Sequence, residues 1–278
     1  MKNAKKNYAD TSKVNKLVNE REIDNELDEI CKNYEKLKKV LEIIRNDGEI
    51  YNLLEATNTN MVTRIGYTDH GRVHSKIVGR NALKILNLLI EQGIETNLMK
   101  EKIANDEDIK IVILIAAYLH DIGLSINRKM HELLGITISR HIVTRILKQI
   151  YMDDEKVVKF SSVIFECILC HMGTFQPSCI EAGIVALADG TDITEGRARI
   201  PFKLGKEDIH SFSTLAIKKV EIMKGEIKPI RIEIEMENSA GIFQVEQILM
   251  KKIESTKFDR YVELIAKIKE INKEVKYL

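Results

Sequence analysis

An apolar run from Ile109 to Leu119, interrupted only by Lys110, ends in the pair His120-Asp121. A stretch of that length and composition predicts a helix buried on most of its sides. Two ionisable groups at the end of a core helix are costly to desolvate and need a partner. A divalent metal would use both at once, since a neutral imidazole and an ionised carboxylate are natural ligands, and Gly123 lets the chain turn away close by. A histidine satisfied by a carbonyl and an aspartate capping the next turn would account for the dipeptide equally well, because structural ion pairs also perturb buried groups. The placement of the other histidines decides between the two.

The segment from Thr68 to Leu89 opens with a helix cap at Thr68 or Asp69 and continues with helical spacing. His70 and His74, four apart, then share one helix face with Ile77, Val78 and Asn81, a ready-made metal edge. Beyond the core helix, a loop from Ile122 to Lys129 carries polar and basic groups, and His131 begins a helix through Leu134, Ile138, Ile142 and Ile146. His141 on that helix reads as an ordinary exposed or half-buried histidine. The helix from Val157 ends at His171, and the apolar helix from Ile180 again runs until it meets a carboxylate, Asp189. Cys167 and Cys170, just before His171, match the spacing of haem attachment but sit in an apolar helix, where they read as small core residues.

At 278 residues the chain can hold a larger and a smaller folded part. Residues 1–12 read as a polar, mobile arm, and residues 13–204 as helical, starting with an apolar stripe through Leu27, Ile30, Leu37, Leu41 and Ile44. Past residue 205 the period changes: Ile230, Ile232, Ile234 and Met236 alternate with charged residues, as in a strand with one wet face. A strand from Lys218 to Met223, a helix after the cap at Asn238-Ser239, and a strand or helix from Tyr261 to Ile268 complete a small α+β domain, read as strand-strand-helix-strand over residues 205–278. A layer of this kind suits dimerisation or capping, and is loosely similar to ACT-type ligand-binding modules. The balance of 43 basic against 42 acidic residues leaves no global field to hold nucleic acid or an anionic membrane. No apolar stretch reaches membrane-spanning length and the Lys-rich N-terminus lacks the apolar core of a signal peptide, so a cytoplasmic protein is expected.

His70, His74, His120, Asp121, His131, His171 and Asp189 all fall at expected helix ends or on apolar helix faces, which independent core accidents would not explain. In this order the residues resemble the HD superfamily of metal-dependent phosphohydrolases, over roughly residues 60 to 200, with His120-Asp-Ile-Gly123 the most specific part. The resemblance implies a mainly α, HD-type helical bundle, with His74, His120, Asp121 and Asp189 as core metal ligands. His131 and His171 match the extra histidines that bind a second metal in some members. His70 matches the histidine that protonates the leaving oxygen in cyclic-nucleotide phosphodiesterases, and a ligand in other members. The aromatic-rich purine pocket of those phosphodiesterases has no counterpart here, aromatic residues being 5% of the chain.

Phosphoester hydrolysis needs a hydroxide at neutral pH, neutralisation of the phosphoryl oxygens and a proton for the departing alkoxide, and one or two divalent metals serve the first two needs. Mixed imidazole and carboxylate ligands suit Mn, Fe, Co, Ni or Zn, with Asp121 as the catalytic bridge between two ions. Arg128, Arg197 and Arg199 are the candidate phosphate contacts, because guanidinium geometry matches phosphate oxygens, although each would serve equally as a surface salt bridge. Lys203 and Asp192 are weaker candidates. The expected substrate is a small phosphorylated molecule such as a nucleotide. A metal-containing nucleotide sensor without catalysis and an HD-type nuclease are the rival readings, the latter disfavoured by the near-zero net charge.

Overall fold

The computed structural model of the chain describes residues 13–197 and 209–278. The expected N-terminal arm, the boundary at 204/205, Arg199 and Lys203 lie outside the described residues.

The apolar run is the central helix of the molecule. α6 (Asp106–Leu119) starts earlier than its apolar residues, because Asn105 and Asp108 form a reciprocal capping box. The polar residues 105–108 are thus the cap and first turn of the helix. Ile109, Ile111, Val112, Ile113, Leu114, Ile115 and Leu119 are fully buried. Each contributes about 1.5–3 kcal/mol relative to an exposed side chain. Lys110 is tolerated among them because its ammonium pairs with Asp106 and lies 4.7 Å from the centre of the Tyr34 ring. Asp108, also buried, accepts from Tyr151 Oη at 2.7 Å and Lys156 Nζ at 2.7 Å.

The remaining helices pack around α6. They are α1 (Lys13–Cys31), α2 (Glu35–Asn46), α3 (Gly48–Asn58), α4 (Arg72–Glu91), α5 (Asn97–Lys100), α7 (His131–Lys148), α8 (Asp154–Cys170) and α9 (Ile180–Gly190). α2, α4, α8 and α9 contact α6 directly, while α7 lies on α8 and on the 3-10 turn Ile122–Ser125 that follows α6. The N-terminal apolar stripe belongs to two helices, broken between Cys31 and Glu35, rather than to one.

A short helix, α10 (Ile209–Ala216), leads into the strands β1 (Ile217–Lys224), β2 (Ile230–Met236), β3 (Val262–Ile268) and β4 (Lys273–Lys276). They form one sheet in sequence order, with β1–β2 and β3–β4 antiparallel and β2–β3 parallel. The parallel pair requires a crossover, which the helical connection 239–255 supplies. Ile222, Ile232 and Leu264 align across three strands on the buried face, and Arg231, Glu233 and Lys267 pair on the other. The segment Tyr261 to Ile268 is therefore strand from Val262 onward, and β4 is an addition to the expected strand-strand-helix-strand order. Its sequence, Lys-Glu-Val-Lys, has one apolar residue and carries little periodic signal. Buried residues of the sheet and of the bundle form one continuous core.

Candidate metal centre

The C-terminal ends of α6, α8 and α9 and the first turns of α4 and α7 converge on one point. His120 and His171 are the residues immediately after α6 and α8, Asp189 lies in the last turn of α9, His131 opens α7 and His74 sits in the first turn of α4. All five, with Asp121, are buried.

Their atoms fall into two groups that share Asp121. Asp121 Oδ2 lies 3.4 Å from His74 Nε2 and 3.2 Å from His120 Nε2, and Asp189 Oδ1 lies 3.3 Å and 3.8 Å from the same two nitrogens. On the other side, Asp121 Oδ1 lies 3.5 Å from His131 Nε2 and 3.3 Å from His171 Nε2. The sets His74–His120–Asp121 and Asp121–His131–His171 each have the spacing of a metal site, and so does His120–His171–Asp189, which crosses between them.

The tautomers show what the centre requires. His120, His131 and His171 each place Nδ1 against the carbonyl three residues earlier, those of Ala117, Arg128 and Ile168, at 2.8, 2.9 and 2.7 Å. A carbonyl only accepts, so each Nδ1 carries a proton, and Nε2 is the nitrogen that each ring turns toward the centre. His131 Nε2 and His171 Nε2 nevertheless face each other at 3.1 Å, beside a carboxylate oxygen. Burial lowers the pKa of His171, which disfavours a proton on that ring. A cation between these atoms satisfies all three, and the residues present therefore fit a metal. His74 differs in that its Nδ1 donates to Asp192 Oδ2 at 2.6 Å. Burial opposes charge on that ring, but Asp121, Asp189 and Asp192 outweigh it and raise its pKa to about 10. Asp121 and Asp189 are likewise pushed up by burial, yet held well below the usual carboxylate range by His120 and Lys252 respectively and by the other imidazoles.

The centre opens into a cavity of about 360 Å3 lined by Tyr67, His70, Arg128, Asp189, Arg197 and Lys252, among others. That volume matches a small-molecule site. His70 reaches it from a different place than the spacing predicts: α4 begins at Arg72 after an N-cap at Gly71, so His70 precedes the helix. Asp69 does act at the helix start, its Oδ1 accepting from Gly71 N at 2.9 Å. The His70 and His74 rings still approach to 5.5 Å between centres. Burial and the Arg197 charge lower the His70 pKa to about 3, and its Nδ1 meets the Thr68 carbonyl at 2.7 Å. Nδ1 of His70 thus donates to that carbonyl, and burial favours the neutral ring.

Arg128 stacks its guanidinium 4.2 Å from the centre of the Tyr67 ring. Arg197 donates from Nε to the Asp69 carbonyl at 3.1 Å and from Nη1 to the Asp192 carbonyl at 2.8 Å, while its Nη2 is buried with no protein partner among the described residues. His141 is exposed and paired with Glu49, Cys167 and Cys170 are buried free thiols, and no helix among the described residues is long and apolar enough to cross a membrane.

Gly123 has a different reason from the turn expected of it. A Cβ there would sit 2.0 Å from the His131 carbonyl oxygen and 2.5 Å from Gly135 N, so its absence lets the first turn of α7 lie against the chain beside Asp121. The sequence reading missed Lys252, whose ammonium pairs with Asp189 Oδ2 and donates to the His171 carbonyl at 2.9 Å. Its signal was positional. Val245, Leu249, Lys252 and Thr256 follow the spacing of a buried helix face, and a lysine in that series needs a buried partner.

Residues 78–194 match the HD domain family, a span that holds His120, Asp121, His131, His171, Asp189 and Asp192 and begins four residues after His74. The chain is 40% identical over 227 residues to the uncharacterized protein MJ1020 of Methanocaldococcus jannaschii, the match covering 82% of this chain and 87% of that protein. No solved structure matches it. With the ordered histidines and aspartates gathered at one buried centre, the chain belongs to the HD domain family, whose members are in general metal-dependent hydrolases.

Proposed function

We propose that the protein is a phosphohydrolase with a two-metal centre, cleaving a phosphoester of a nucleotide or a related small metabolite. The observation that carries this reading is the division of Asp121, one oxygen toward His74 and His120 and the other toward His131 and His171. Divalent metals held there would supply a hydroxide near neutral pH and neutralise phosphoryl charge.

The chain's own residues supply the rest. His74, His120 and Asp189 hold one side and His131 and His171 the other, each imidazole fixed in orientation by its Nδ1 partner. Arg197, with Nη2 unpaired among the described residues, and Arg128, on the Tyr67 ring beside the cavity, bind the phosphate and the adjoining part of the substrate. His70 accepts a hydrogen bond from the bound substrate through its neutral Nε2. The cavity of about 360 Å3 favours a small molecule over a polymer as substrate.

The reading is tested by D121N in the full chain. Elemental analysis of wild-type protein purified without added metal is expected to give close to two ions per chain, and the variant to lose both metal and hydrolysis of phosphomonoester and phosphodiester substrates. Undiminished turnover by metal-depleted D121N would refute it.

A further inference from the structure

Lys252 belongs to the C-terminal connection 239–255, outside the residues that match the family, yet it closes one side of the centre. We propose that Lys252 is a positioning residue, which holds Asp189 so that a single carboxylate oxygen, Oδ1, faces His74 and His120, and that metal binding therefore depends on the docked C-terminal layer.

The two oxygens of Asp189 have separate surroundings. Oδ1 faces the imidazole nitrogens of His74 and His120, and Oδ2 is taken by the Lys252 ammonium. The ammonium is anchored a second time on the His171 carbonyl at 2.9 Å, so one cation ties together ligand-bearing residues from both sides of the centre. Lys252 is 6% exposed and Asp189 7%. A buried ammonium carries a desolvation penalty that an apolar residue of similar size would avoid, so packing alone does not explain a lysine here.

The approach of this connection is built into α9. A Cβ on Gly190 would lie 3.1 Å from Leu249 Cδ1 and 3.1 Å from Lys252 Cδ, and one on Gly183 would lie 2.2 Å from the Phe258 ring. Seven residues apart, the two glycines share a face of α9, and side chains on that face would hold the connection off. Its start is pinned separately, Gln244 Nε2 donating to Ser213 Oγ at 2.9 Å. With Oδ2 occupied, Asp189 is restrained from rotating and from offering both oxygens to one ion.

This inference rests on the metal-centre reading, and its test uses metal affinity rather than turnover. Metal-depleted full-length wild type, K252M and K252R are titrated calorimetrically with Mn2+, and their Co2+ forms are compared by visible absorption. K252M is expected to bind metal about 10- to 100-fold more weakly, the usual effect of removing a group that orients a ligand, and K252R, which keeps the charge, to recover most of the loss. The Co2+ bands of K252M should weaken as Asp189 offers its second oxygen and the coordination number rises. If K252M does not fold, K252Q replaces it, keeping a donor but not the charge, and is again expected to bind more weakly than K252R. Wild-type affinity and spectrum in the uncharged variant would overturn the proposal. Absence of metal uptake by wild type would instead remove the underlying reading and this one with it.

Discussion

Gly123→Ala is the substitution that most directly separates the two sides of the centre. The added Cβ would lie 2.0 Å from the His131 carbonyl oxygen, 2.5 Å from Gly135 N and 2.9 Å from the His131 carbonyl carbon. All three are backbone atoms at the start of α7, so no side-chain rotation relieves the overlap. Bringing the nearest atom out to tolerable contact moves that segment by about 1 Å, at a cost of about 1–3 kcal/mol for overpacking. His131 travels with it, whereas a ligand set tolerates only about 0.2 Å of error in its distances. His74, His120 and Asp189 lie on other helices and keep their places. Elemental analysis should therefore give close to one ion per chain in the variant against two in wild type, with a melting temperature lower by about 2–4 °C for each kcal/mol lost. Gly48→Ala is the control, since nothing lies within 4 Å of a Cβ there. Wild-type metal content and melting in G123A would refute the reasoning, and so would loss of all metal from a folded variant, because the two sides would then not be separable.

Asp192→Asn acts on the other side. It replaces the carboxylate that receives the His74 Nδ1 proton at 2.6 Å, so chelator competition should show affinity reduced about 10- to 100-fold, while an unchanged value would deny Asp192 an orienting role. A pH dependence follows from Asp108, far from the centre. Burial raises its pKa, but the Lys156 ammonium, the Tyr151 hydroxyl and the Asn105 amide together bring it below the usual value. A native pKa below the unfolded one gives stability that is complete above about pH 4 and is lost as pH falls through the native value. D108N should therefore be less stable than wild type by about 1–3 kcal/mol in urea at pH 7. The gap should narrow below pH 4, and a gap that stayed constant on acidification would contradict the assignment.

Much of this site was legible because its parts are local events in the chain. A long apolar run that stops at an ionisable residue marks a helix end in the core, and the pattern occurs at His120-Asp121, His171 and Asp189. The unread parts depend on what distant segments do to one another. Spacing placed His70 on the helix with His74, but the chain caps at Gly71, where a Cβ would lie 2.8 Å from Asn58 Cβ, a neighbour that no local pattern identifies. Gly123 looked like a turn residue because its contact with α7 is tertiary. The position of Lys252 on a buried helix face is local, but its partner is not, since Asp189 lies on a different helix, in a different part of the chain.

The construction of the centre also explains why so many ligands stand at helix ends. The last four carbonyls of an α-helix have no partner within it, and the aligned peptide dipoles leave that end with about half a negative charge. In α6 and α8 the histidine just past the last residue turns its Nδ1 proton back onto one of those carbonyls, Ala117 O or Ile168 O. One hydrogen bond thereby satisfies a buried orphan acceptor and turns Nε2 of the ring toward the centre. α9 ends at the same place with Asp189, so three negative helix ends and two carboxylates meet at one buried centre. Such a convergence is unfavourable unless positive charge is present. Lys252 and the raised pKa of His74 answer part of this need from the protein's own side chains, and divalent metals held between the two halves of Asp121 would supply the rest.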